Sequence, residues 1–153
     1  MATKHAFLKQ IQGPTFAVKG DSGHWVVMDV GETEGGSNAG PRPKELLLFA
    51  LAGCTGVDVV NILRKKRSPL QDFRMNLTGH EATEHPKGFT DIHIEYIFYG
   101  DGINPADVER AIELSTTTYC SVSATLKANV NITHSYKIEA SMPSNSDALA
   151  AHH

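Results

Sequence analysis

The run PKELLLFALAGCTGVDVVNILRKKR at residues 43–67 constrains this chain more than any other feature. A surface helix shows one apolar stripe, but here Leu47, Ala50, Leu51, Cys54, Val57, Val59, Ile62 and Leu63 cover nearly every side of the helical projection. Pro43 suits the first turn, the basic residues Arg64, Lys65, Lys66 and Arg67 suit the negative end of the helix dipole, and Pro69 stops the helix. The pattern predicts a helix buried almost all round. A chain of 153 residues rarely encloses about 24 helical residues by itself, so a partner subunit is expected to cover part of it.

The flanking segments carry a different period. Residues 6–11 alternate, with Ala6 and Leu8 on one side and Phe7 and Ile11 on the other, and residues 25–30 are rich in β-branched side chains. Gly13-Pro14 and Asp21-Ser22-Gly23 mark turns between them, which predicts a small antiparallel sheet. The stretch GETEGGSNAGPRP, residues 31–43, has four glycines, two prolines and no large apolar residue. It is expected to be an exposed, mobile loop, a lid or a hinge. Two more strands follow at residues 74–80, with Met75 and Leu77 inward, and 92–98, with Ile92, Ile94, Tyr96 and Phe98 on one face; HEATEHPKGF forms the hairpin loop between them. Asn104 is placed to cap a helix with Pro105 at its first position and Val108, Ala111 and Ile112 as its stripe, ending near Ser115 to Thr118. A short helical stretch follows Tyr119-Cys120-Ser121, then a strand at residues 130–138. Residues 141–153 have no core pattern, so one domain over residues 1–140 is expected, of α+β class because no regular βαβ alternation is present.

Composition limits the partners. Fourteen Lys and Arg against 17 Asp and Glu give a formal charge of -3, which argues against a general nucleic-acid binder. No run reads as the roughly eighteen apolar residues of a membrane span, and MATKHAFLKQIQGPTF lacks a signal-peptide core, so a cytoplasmic protein is expected. The histidines, His80, His85, His93 and His134 among them, show no ligand spacing; no metal site and no cofactor are expected. Gly35-Gly36 lacks the rest of a phosphate-binding loop, so no nucleotide site is expected either.

Two cysteines remain as candidates for chemistry, Cys54 and Cys120. A lone helical cysteine usually only packs. Cys54, however, stands in Gly53-Cys54-Thr55-Gly56, and each glycine costs a helix about 1 kcal/mol relative to alanine, which points to a close approach at the backbone. Cys120 opens a Ser- and Thr-rich turn, where a helix N-terminus favours a thiolate.

PKELLLFALAGCTGVDVVNILRKKR, TYCSVSATLK and NVNITHSYKIEA together resemble the osmotically inducible protein C and organic hydroperoxide resistance family, most closely its YhfA-like branch, over about residues 4–140. The resemblance implies a swapped α+β homodimer in which two long central helices are wrapped by antiparallel sheets. It also implies a thiol peroxidase: Cys54 attacks an organic hydroperoxide, Cys120 resolves the sulfenic acid as a disulfide, and an external dithiol reduces the pair. One departure stands out. Family peroxidases carry Glu directly after the helix-starting Pro, holding an early Arg against the thiolate. Here that position is Lys44, and Glu45, nine residues before Cys54, falls about 180° from it on the helix, against about 80° for Lys44. No arginine precedes Arg42. The Arg–Glu clamp is thus absent, Asp58 one turn from Cys54 is expected to make its thiolate harder to form, and Lys19, Lys44 or Arg42 are the candidate replacement cations. Two functions follow, a two-cysteine peroxidase and a non-catalytic member that binds a ligand or senses redox state.

Overall fold

The computed structural model describes residues 1–142, so the histidines at the C-terminus lie outside the described residues. The chain separates into two compact units, Met1–Phe49 and the residues from Ala50 onward.

In the first unit, strands β1 (Ala6–Gln12), β2 (Thr15–Gly20) and β3 (Trp25–Met28) form an antiparallel sheet in that order. The hairpin between β1 and β2 turns on Gly13, whose φ of +51° favours glycine. The expected strand alternation is present, but β1 is exposed along its whole length, Phe7, Leu8 and Ile11 included. Trp25 is exposed too, with its ring edge-on to Phe7 at 6.2 Å.

The glycine-rich stretch that follows is not the unattached loop its composition suggests. It contains a short 3-10 turn, Glu32–Glu34, and wraps around the buried carboxylate of Asp29. Asp29 Oδ2 accepts from the N–H groups of Ser37 (3.0 Å) and Ala39 (3.1 Å) and from the Thr15 hydroxyl (3.0 Å), while Oδ1 accepts from the Val30 N–H at 2.8 Å. Backbone passes so close to Gly40 that an added Cβ would meet the Val27 carbonyl oxygen at 2.6 Å. A loop without apolar side chains can therefore be ordered by one carboxylate that gathers its backbone donors.

Helix α1 (Pro43–Lys65) begins where the backbone N–H of Arg42 donates to Glu45 Oε2 at 2.7 Å, the carboxylate half of a capping box. It ends in a Schellman motif: Arg67 takes a left-handed φ of 55°, its N–H donates to the Arg64 carbonyl, and the Ser68 N–H donates to the Leu63 carbonyl. The helix thus closes on its own backbone before Pro69 is reached. Within the single chain, burial along it is partial. Only Leu51, Thr55, Val59 and Leu63 are buried, a stripe of four-residue spacing, whereas Leu47, Phe49 and Val57 are exposed, Val57 by 61%. The expectation that no run reads as a membrane span is corrected, since α1 is itself long and apolar enough to cross a membrane by length and composition.

The second unit holds β4 (Asp72–Glu81) and β5 (Phe89–Tyr99), an antiparallel hairpin, and β6 (Asn131–Glu139), which pairs with β5 in parallel. The parallel pairing departs from the expected antiparallel sheets. The helical connection between Tyr99 and Asn131 makes it possible, because a crossover returns the chain to the same end of the sheet where a hairpin would reverse it. The alternation read on β5 is present, with Ile92, Ile94, Tyr96 and Phe98 fully buried. Helix α2 (Pro105–Leu114) is capped by Asn104, whose Oδ1 accepts from the Ala106 N–H at 3.0 Å, and it buries Val108, Ala111 and Ile112. It does not stop at the Ser/Thr run. The chain continues through a π-helical turn, Ser115–Tyr119, before α3 (Ser121–Leu126).

Candidate active site

Cys54 lies on α1, between the buried positions Leu51 and Thr55 of one turn and Asp58 of the next. Around it, α1 approaches β4 closely: a Cβ on Gly56 would touch Met75 Sδ at 3.4 Å and the Phe73 ring at 3.5 Å. Gly53 has nothing within 4 Å of such an atom in the described residues, so only Gly56 answers the expected close approach. On the side of α1 that faces β4, an apolar groove of about 470 Å³ is walled by Ala52, Gly53, Val57, Val60, Phe73 and Met75, and neither cysteine lines it.

Cys120 is brought to the same place by the π-turn. The extra residue per turn lets the Cys120 N–H reach the Ser115 carbonyl at 2.9 Å and ends the helix in extended backbone, so that Cys120 becomes the N-cap of α3. Thr116 and Thr117 hold the turn by donating their hydroxyls back to carbonyls of Ile112 and Glu113. Buried Ser115 donates its hydroxyl to Asp58 Oδ2 at 3.0 Å, tying the turn to α1. The result is a compact cluster in which the two sulfurs and a carboxylate oxygen of Asp58 all lie within 4.8 Å of one another, with both cysteines as free thiols.

The two thiols are biased in opposite directions. Burial raises the Cys54 thiol, but hydrogen bonds from the Val122 N–H, the Cys120 thiol and the Ser121 hydroxyl outweigh it, together with the smaller adverse charge of Asp58, so Cys54 titrates below its ordinary value. Burial first, then the hydrogen bond it gives Cys54 and the charges of Cys54 and Asp58, push Cys120 up to about 11, and only the Ser123 N–H, 3.3 Å from Cys120 Sγ, works the other way. As expected, burial and Asp58 both work against the Cys54 thiolate, but three donors from residues 120–122 outweigh them. One expectation is corrected: the start of α3 does not favour a Cys120 thiolate, because its donors reach Cys54 as well and Cys120 itself is only 3% exposed. Of the two thiols, Cys54 is the one that gives up its proton first and Cys120 the one that keeps it.

The other candidate residues are engaged within the first unit. Glu45 caps α1 through the Arg42 N–H. The Arg42 guanidinium donates to Asn38 Oδ1 at 2.6 Å and reaches the Gly40 carbonyl at 3.4 Å. Lys19 lies over the Trp25 ring, 5.0 Å from its centre, and Lys44 is exposed in the first turn of α1. Residues that sequence reasoning missed are Ser115, Ser121, Val122 and Tyr96. Tyr96 is fully buried on β5, and its hydroxyl makes no hydrogen bond of ordinary geometry. Burial raises its pKa to about 12, with the neighbouring Thr55 hydroxyl opposing and the charges of Cys120 and Asp58 adding to the rise. No sequence period marks a hydroxyl facing a thiol; the only local signal was the density of Ser and Thr around Cys120.

Comparison with known proteins identifies the family and the fold. The family model described as OsmC-like protein matches residues 35–135. Protein YhfA of Escherichia coli (strain K12) is 41% identical over 135 residues, 88% of this chain and 98% of that protein. A hypothetical protein from Aquifex aeolicus VF5 has a solved structure that matches with a TM-score of 0.81 at 33% identity, covering 93% of this chain and all of the other (100%). The organic hydroperoxide resistance protein OsmC of Legionella pneumophila shares the fold at a TM-score of 0.67 and 18% identity, covering 90% of this chain and 98% of that one. The chain belongs to the OsmC-like protein family.

Proposed function

We propose that this protein reduces organic hydroperoxides to alcohols through a two-cysteine cycle. The single observation that carries the reading is the Cys54–Cys120 pair, two free thiols within 4.8 Å whose ionisations are pushed apart. Cys54, the thiol lowered by its donors, attacks the outer peroxide oxygen as thiolate; the O–O bond breaks, and the alkoxide leaves as alcohol on taking a proton. Cys54 is then a sulfenic acid. The Cys120 sulfur attacks it, a disulfide forms within the chain, and water leaves. An external dithiol restores both thiols by exchange.

The Cys120 thiol gives its proton to the leaving alkoxide and becomes the nucleophile the second step needs; hydroxide then leaves the sulfenic acid and becomes water on taking up the proton that Cys54 released to solvent. The apolar residues Ala52, Phe73 and Met75, on the β4 side of the helix that carries Cys54, suit the alkyl or aryl group of an organic peroxide better than they suit hydrogen peroxide. Hydrogen bonds from residues 120–122 supply the thiolate stabilisation for which Lys19, Lys44 and Arg42 were the expected sources.

The working form is a homodimer. Val57 and Phe49, exposed by 61% and 56%, are apolar side chains of a helix that a second copy would cover. Sedimentation of a folded monomer at micromolar concentration would remove the dimer. The activity is tested by following cumene hydroperoxide in the presence of dithiothreitol. Wild-type protein should consume it catalytically and Cys54→Ser should not. Equal rates for the two proteins would overturn the reading.

A further inference from the structure

We propose that Cys54, Asp58 and Cys120 form a binding site for a single thiophilic divalent cation of the zinc class, in the reduced protein. Exchangeable zinc sites use three protein ligands of Cys, His or carboxylate type and leave a fourth position open. Here two sulfurs and one carboxylate oxygen lie within 4.8 Å of one another. Tetrahedral coordination at ordinary zinc–sulfur lengths places two sulfurs about 3.8 Å apart, and the whole cluster lies within 4.8 Å.

The surroundings are those of a ligand set rather than of a chance cluster. Ser115 donates to Asp58 Oδ2 at 3.0 Å, which orients the carboxylate, and the Ser123 N–H donates to Cys120 Sγ at 3.3 Å, the kind of outer hydrogen bond that steadies a metal thiolate. The second, independent observation is Tyr96. Its hydroxyl is fully buried and makes no hydrogen bond of ordinary geometry, with the Thr55 hydroxyl its neighbour on α1. A water bound to the ion is an acceptor such a hydroxyl would take. The carboxylate selects zinc over copper(I), which prefers sulfur alone. On the Asp58 side a groove of about 440 Å³ bordered by Asn61, Leu114 and Tyr119 provides an entry, with Lys65 and Lys66 along its rim.

The site needs only the reduced thiols, so it stands apart from peroxidase turnover. A bound ion and a Cys54–Cys120 disulfide exclude each other, since both use the same two sulfurs. The test is an anaerobic titration of the reduced, chelator-treated full chain with cobalt(II), whose thiolate charge-transfer and tetrahedral d–d absorptions report sulfur ligation directly. The expected result is one cobalt per chain, displaced by zinc, with affinity reduced at least tenfold in Asp58→Asn and Cys54→Ser. Absence of the charge-transfer band in the wild-type protein, or affinity unchanged in both variants, would overturn the site. Peroxide consumption is measured on the same metal-free samples. Cobalt binding without peroxide consumption upholds the metal site and removes only the peroxidase; consumption without the band does the reverse.

Discussion

The Ser115 hydroxyl donates to Asp58 Oδ2 at 3.0 Å across 57 positions of sequence, and this bond joins the π-turn that carries Cys120 to the helix that carries Cys54. Ser115 is fully buried, so its removal leaves the carboxylate short of a partner. Ser115→Ala is expected to lower stability by about 1.5 to 3 kcal/mol, the range for a hydrogen bond to a charged group, as read from urea unfolding at neutral pH.

Asp58 opposes ionisation of Cys54 through its charge. Asp58→Asn should therefore move the midpoint of Cys54 alkylation by iodoacetamide to lower pH, while the donors from residues 120–122 remain. A midpoint that moves upward would mean that Asp58 acts through a cation it holds near the thiol.

Cys120 gives a sign to the alkaline limb of stability. Its pKa rises from 9.0 in the unfolded chain to about 11 in the fold, so between those values the unfolded chain has released a proton that the native chain retains. Stability therefore falls as pH climbs through that window. Under reducing conditions, the urea midpoint of wild-type protein should drop more steeply there than that of Cys120→Ser. Parallel curves would show that Cys120 is not held neutral.

Asp29 offers a test remote from the thiols. Its carboxylate accepts from the Ser37 and Ala39 N–H groups, and those bonds, with those of Val30 and Thr15, hold its pKa low against the upward pull of burial. Asp29→Asn should leave the sheet of β1 to β3 intact and speed amide hydrogen exchange through residues 31–40. Unchanged exchange would mean that the glycine-rich stretch is ordered by something else.

What could be read in the sequence was what has a period or a cap. Ile92, Ile94, Tyr96 and Phe98 alternate because one face of β5 is buried, and Asn104-Pro105 announces α2 because the first turn of a helix needs an acceptor and tolerates a missing donor. The knot at Asp29 has no such mark, since a side chain that collects backbone N–H groups from a loop leaves no pattern in the residues supplying them. The π-turn was hidden in the same way: Ser115 to Thr118 read as a helix end, whereas hydroxyls returned to carbonyls let the helix run on with a widened turn. On α1, apolarity on every face led to the expectation of a partner subunit, and one chain by itself buries only the stripe of Leu51, Thr55, Val59 and Leu63. For the thiols, sequence spacing identified Asp58 as a neighbour of Cys54 but could not reveal that Ser121 and Val122 would outweigh it.

The most direct measurement is a single turnover. Reduced protein is mixed with one equivalent of cumene hydroperoxide, the reaction is followed by stopped flow, and thiols and disulfides are then counted by mass spectrometry. Two sulfurs within 4.8 Å on one chain should yield an intrachain Cys54–Cys120 disulfide, with two thiols lost per chain and a rate well above that of free cysteine. Oxidation no faster than free cysteine, or both thiols intact after the peroxide is gone, would contradict the two-cysteine cycle.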